Sequence, residues 1–128
     1  MKGIRVLLID DEEEFRKTLA TRLRMRALEV AEAGSGPAAI EAMTREVFDV
    51  VVLDLRMPGM DGIDTLKHLK KVQPRAEVIM LTGHASVETG IGGMQLGAFD
   101  YLMKPCDIDE LISKIQSACK KKKRFIRI

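Results

Sequence analysis

Short apolar runs that stop abruptly on polar residues recur along this sequence, and between them apolar residues return every third or fourth position. Ile4 to Ile9 is almost wholly apolar and ends on Asp10-Asp11. A run that short reads as a buried parallel strand, not a helix. Glu12 to Glu14 then open a helix with Phe15, Leu19 and Leu23 on its buried stripe, the acids suiting the positive end of the helix dipole. Leu28 to Ala33 alternates weakly, as a half-exposed edge strand does. Ser35-Gly36-Pro37 supplies a cap and an early proline for a second helix whose predicted inner face is Ala39, Ile40, Met43 and Val47. Asp49 to Leu53 is the central strand and stops on Asp54. After it, Met57-Pro58-Gly59-Met60-Asp61-Gly62 lets neither helix nor strand continue, so a tight loop lies beside that carboxylate.

The alternation then repeats. Asp61 caps a third helix with Ile63, Leu66 and Leu69 facing in, and Pro74 stops it. Glu77 to Leu81 is a fourth strand ending in Thr82-Gly83, followed by a helical segment from about Ser86 to Leu96. Phe99 to Met103 is a fifth strand ending in Lys104-Pro105. Asp107 and Glu110 resemble a capping box ahead of the strongest helical stripe in the chain, Ile108, Leu111, Ile112, Ile115, Ala118 and Cys119. Five strand-then-helix repeats predict an α/β fold: one parallel sheet with right-handed crossovers, doubly wound, with helices on both faces.

Composition narrows the class. The 128 residues suit a single domain, with a core at about 4–120 and a basic tail at 120–128. No apolar run approaches 18 residues, so no membrane span is expected. The first residues turn acidic too soon for a signal peptide, so a cytoplasmic location is expected. Cys106 and Cys119, without metal-ligand spacing, read as free thiols. The net charge of +2 conceals an acidic body, because Lys120 to Arg124 supply five cations at one end. That run suits a helix C-terminus and a solvated tail, and nothing else suggests direct nucleic-acid binding.

Each polar anomaly lies at the carboxyl end of a predicted strand: Asp10 and Asp11, Asp54, Thr82 and Lys104. In open α/β sheets ligands bind beyond those ends, so the five converge on one cleft. Three carboxylates within about 5 Å repel by roughly 3 kcal/mol per pair at an effective dielectric near 20. A cation must therefore join them, and a set of hard oxygens without His or Cys selects Mg²⁺. Such a cation also serves phosphoryl transfer, with Asp54 as the candidate nucleophile that forms an acyl phosphate. Lys104 brings a positive charge to the phosphoryl oxygens, and the Thr82 hydroxyl can hydrogen-bond one of them.

Asp10-Asp11, Asp54 with the Met57 to Gly62 loop, Thr82 and Lys104-Pro105 together resemble the receiver domain of bacterial two-component response regulators, from Arg5 to about Lys120. The stretches LTGHASVETG and LGAFDYLMKPCD are closest to receivers of the nitrogen-regulation type. The resemblance implies a flavodoxin-like sheet in the order 2-1-3-4-5 with five helices. It implies phosphorylation of Asp54 by a sensor histidine kinase, with Mg²⁺ held by Asp11, Asp54 and the backbone carbonyl of Arg56, and by Asp10 largely through water. Thr82 and Lys104 would hold the phosphoryl group, the bond before Pro105 would be cis, and Tyr101 would be the aromatic switch residue. The signal would pass through the helix 4/strand 5/helix 5 face to a downstream protein or to an output domain outside this chain. A homodimer through that face is a further expectation. The chain would catalyse its own phosphorylation and dephosphorylation and otherwise be no enzyme.

Two features bear on switching. Gly90, Gly92 and Gly93 each cost about 1 kcal/mol relative to alanine, which predicts that the fourth helix is the weakest and most mobile. Arg56 and His84, two residues beyond Asp54 and Thr82, are expected to tune the lifetime of the acyl phosphate. Other readings fit less well. An aspartate-nucleophile phosphatase needs a second Asp two residues after the first, where Arg56 stands. A flavodoxin-like electron carrier needs a hydroxyl-rich phosphate loop, where Asp10 to Glu14 are acidic. An unphosphorylated receiver-like interaction module usually lacks an acidic or lysine position, and none is missing here.

Overall fold

A computed structural model describes residues 3–55, 62–83 and 92–126. Five parallel strands, β1 (Arg5–Ile9), β2 (Glu29–Ala33), β3 (Val50–Asp54), β4 (Glu77–Thr82) and β5 (Asp100–Met103), form one sheet in the order β2-β1-β3-β4-β5. The helices are α1 (Glu13–Arg24), α2 (Gly36–Arg45) and α3 (Gly62–Val72), then the described part of α4 at 92–95, and α5 (Ile108–Ile126).

Alternation along the strands divides the core in two. Val6, Leu8, Val50, Val52, Ile79, Leu81 and Leu102 pack with α1 and α5 through Leu19, Leu23, Leu111 and Ile115. Leu7, Ile9, Val51, Leu53, Val78 and Met80 pack with α2 and α3 through Ala39, Met43, Leu66 and Leu69. The central strands β3 and β4 are buried along their whole length, which explains why they read as unbroken apolar runs. β2, at one edge, is largely half-buried, as its weak alternation predicts.

Local signals act as expected at several ends. The Ser35 hydroxyl accepts a hydrogen bond from the Ala38 N–H at 3.2 Å, and Pro37 occupies the first turn of α2. Gly62 opens α3 against the chain just past β3: a Cβ there would lie 2.5 Å from the Leu55 Cα, so only glycine permits this approach. Asp61, the expected cap of α3, lies outside the described residues.

Three expectations change. Val47 is 65% exposed, because α2 ends at Arg45 and the backbone turns extended at Glu46, carrying Val47 off the helical stripe. Asp107 accepts a hydrogen bond from the Asp109 N–H at 3.0 Å, an Asx-type cap in place of a bond to Glu110. The basic run from Lys120 lies in the last turns of α5, which ends at Ile126, as a helix C-terminus should, but it is no wholly solvated tail: Lys121 folds back on the sheet, its Nζ 3.4 Å from Glu77 Oε2. No helix among the described residues is long and apolar enough to cross a membrane.

Candidate functional site

The site forms where β1, β3 and β5 end on the side of α1. Ile9 pairs with Leu53 across the sheet, so Asp10 and Asp54 terminate their strands at the same level. Asp10, Asp54 and Lys104 each follow by two residues a side chain packed toward α1 and α5, namely Leu8, Val52 and Leu102. The period of two therefore brings all three out on one side of the sheet. Thr82 ends β4 opposite Met103, and its carbonyl accepts the Lys104 N–H at 2.7 Å.

Asp10 and Asp54 are both buried, and the Lys104 ammonium joins them, donating to Asp10 Oδ2 at 2.7 Å and to Asp54 Oδ2 at 3.3 Å. Glu12 Oε1 lies 3.4 Å from the same nitrogen, and the Phe15 ring centroid 4.3 Å from it. Burial alone would lower the Lys104 pKa, but the hydrogen bond and charge of Asp10, followed by the charge of Asp54, outweigh it and raise the pKa above the ordinary 10.5. The lysine is thus a fixed cation at neutral pH. The other oxygen of Asp10, Oδ1, accepts the Glu12 N–H at 2.9 Å, which folds the chain over the end of β1.

Carboxylate oxygens of Asp10, Glu12 and Asp54 lie within 4.8 Å of one another. These are hard, anionic ligands whose charge exceeds what Lys104 neutralises, a donor set that fits a divalent cation of the Mg²⁺ or Ca²⁺ kind. Asp11, next in the chain, is exposed and is not one of these three residues; Glu12, not among the expected ligands, is. The acidic run itself was the signal for Glu12, though dipole compensation at the start of α1 accounts for it equally well.

Thr82 is buried at the end of β4, one residue past Leu81, the partner of Asp54, and the Lys104–Pro105 bond is cis. Tyr101 lies outside the cluster, on edge strand β5, 42% exposed. It lines an open groove with Met103, Cys106, Asp107, Glu110 and Lys114. Arg56, His84 and the loop from Met57 to Asp61 lie outside the described residues, as does most of the segment expected to form the fourth helix, so the expectation about that helix's mobility lies outside them too.

A family model for the response regulator receiver domain matches residues 6–116. The chain is 40% identical over 114 residues to the regulatory protein AtoC of Escherichia coli K12, covering 89% of this chain and 25% of that protein. It is 38% identical over 117 residues to the DNA-binding transcriptional regulator NtrC of the same organism, covering 91% of this chain and 25% of that one. The chain thus spans about a quarter of the length of these curated relatives. Among solved structures it is similar to a response regulator protein from Burkholderia pseudomallei with a phosphorylated aspartic acid, calcium ion and citrate. There the TM-score is 0.85 at 30% identity, over 95% of this chain and 72% of that one.

Proposed function

We propose, because this chain belongs to the response regulator receiver domain family, that Asp54 accepts a phosphoryl group from a phosphohistidine of a sensor histidine kinase. The observation that carries this reading is the Lys104 ammonium bridging two buried carboxylates, Asp10 and Asp54, at the ends of adjacent strands. A carboxylate oxygen of Asp54 attacks phosphorus, the phosphorus–nitrogen bond of the donor breaks, and the imidazole leaves with the electron pair. Lys104, already within 3.3 Å of Asp54, pairs with the incoming phosphoryl oxygens, and the Thr82 hydroxyl donates to one of them. Asp10, Asp11 and Asp54, with the Arg56 backbone carbonyl, would hold Mg²⁺, and Glu12 stands near enough to join them. Bound there, Mg²⁺ supplies charge neutralisation for the phosphoryl oxygens. Water later cleaves the acyl phosphate and restores the Asp54 carboxylate, with Arg56 and His84 tuning its access.

The new charge of about −1.5 to −2 requires a two-state element to report it. Thr82 ends β4 and leads into the segment before α4, and Tyr101 lies on β5, so the pair connects Asp54 to the α4/β5/α5 face. Met94, Tyr101 and Met103 expose apolar surface on that face, which suits a second copy or an output domain of a longer regulator. The DNA-binding role that the name of the relative NtrC gives that protein would then reside in such a domain, not in this one.

The test is intact mass after incubation with acetyl phosphate and Mg²⁺, beside Asp54→Asn and a chelator control. We expect one phosphoryl addition, absent from both controls. No addition to the wild type would overturn the reading and favour an interaction module that works unphosphorylated.

A further inference from the structure

Arg16 sits in the first turns of α1, two residues past the acidic run, with its side chain 15% exposed. Its Nη1 donates to the backbone carbonyl of Asp10 at 2.9 Å, and its Nε donates to Glu32 Oε1 at 3.1 Å. Glu32 is itself braced by Arg24, whose Nη2 reaches its other oxygen at 3.3 Å. An arginine needed merely to pair with Glu32 has no reason to reach a main-chain carbonyl at the edge of the acidic site. That carbonyl belongs to the peptide joining Asp10 to Asp11, so the bond fixes the plane from which the Asp11 side chain departs. The remaining polar groups of Asp10 are held too: its N–H donates to the Ala33 carbonyl at 3.1 Å, and its carboxylate takes the Glu12 N–H and Lys104.

Gly34 completes the arrangement. A Cβ there would lie 2.9 Å from Arg16 Nη1, so the turn after β2 leaves open the space the guanidinium occupies. A planar fork that serves two acceptors at fixed angles is a task for arginine, since a lysine ammonium keeps the charge without the geometry.

We infer that Arg16 is a positioning residue for the acidic site: braced by Glu32 and admitted by Gly34, it locks the Asp10–Asp11 peptide and so sets how these carboxylates meet a divalent cation. The inference rests on the phosphoacceptor reading above and extends it to a residue that touches neither cation nor phosphoryl group.

The experiment is calorimetric titration of Mg²⁺ into the full unphosphorylated chain for wild type, Arg16→Gln, Arg16→Lys and Gly34→Ala. Each protein is also checked by circular dichroism and by acetyl phosphate labelling. Arg16→Gln should raise the Mg²⁺ dissociation constant about tenfold, the scale on which groups supporting metal ligands act. Arg16→Lys should fail to restore it, and Gly34→Ala, which keeps the arginine but displaces it, should fall between. Wild-type affinity in Arg16→Gln would overturn the inference, and full rescue by Arg16→Lys would replace position with charge and overturn it too. Should Arg16→Gln not fold, Gly34→Ala decides: unchanged affinity there counts against the inference. Failure of the wild type to take up phosphoryl would instead sink the underlying reading, whatever the variants do.

Discussion

Lys104 binds three carboxylates that would otherwise repel one another, and its own proton is the point at which that arrangement can be undone. Its pKa is raised in the fold, so the stabilisation it gives is complete below the unfolded lysine value of about 10.4 and is lost as pH rises through the higher folded value. Urea midpoints measured from pH 7 to 11 should therefore separate wild type from Lys104→Met by a constant gap up to about pH 10 that closes above it. A gap unchanged at pH 11 would show that the ammonium is not what holds the cluster. At this scale Asp54, Asp10 and Lys104 were legible because each follows an apolar run with a polar residue the run does not need. Glu12 and Phe15 were not, because each already had a sufficient role: acid at the start of α1, and a turn of its apolar stripe. Side chains that serve two ends show only one of them in one dimension.

Elements show the same limit in the pairing of β4 with α5. Glu77 is buried at the amino end of β4, far from the acidic site, and its Oε2 makes no hydrogen bond although Lys121 Nζ stands 3.4 Å away. That distance is an ion pair without hydrogen-bond geometry, and Lys121 also lies 5.8 Å from the Phe99 ring centroid. Lys70 bears on the same carboxylate: burial lowers its pKa while the charge of Glu77 opposes the shift, and its ammonium is committed to the Pro74 and Ala76 carbonyls. Replacing Lys121 by alanine should cost about 1–2 kcal/mol in urea unfolding, less than a fully buried pair because the lysine is half exposed. Glu77→Gln, which removes the buried charge and keeps its size, should be neutral within about 0.5 kcal/mol or stabilising. A larger loss in Glu77→Gln than in Lys121→Ala would reverse this account. The helix was readable from its stripe and its basic end from the dipole, but the contact of Lys121 with the sheet was not, since a basic run suits solvent until Glu77 is brought beneath it.

Across the whole molecule, stability and chemistry pull in opposite directions. The two cores flanking the sheet hold it together, while the carboxyl ends of its strands concentrate like charges that Lys104 balances only in part. Asp54→Asn should accordingly stabilise the metal-free protein by about 1 kcal/mol, and Mg²⁺ should raise the wild-type unfolding midpoint more than that of the variant. Equal midpoints in chelator would mean that the carboxylates carry no net repulsion. The sheet order follows from the sequence only as far as parallel crossovers require; which strand lies beside which depends on helix faces that the stripes do not distinguish. One consequence lies in how the gene tolerates change. Asp10, Asp54 and Lys104 share the parity of Leu8, Val52 and Leu102, so the count of residues along each strand encodes both which side chains enter the core and which carboxylates meet. Substitutions in these strands should act by degrees, whereas deleting or inserting a single codon in β1 or β3 exchanges the faces of everything downstream to the strand's end. A library of such one-codon indels should therefore separate cleanly into survivors in the loops and nulls in the strands, with few partial phenotypes between.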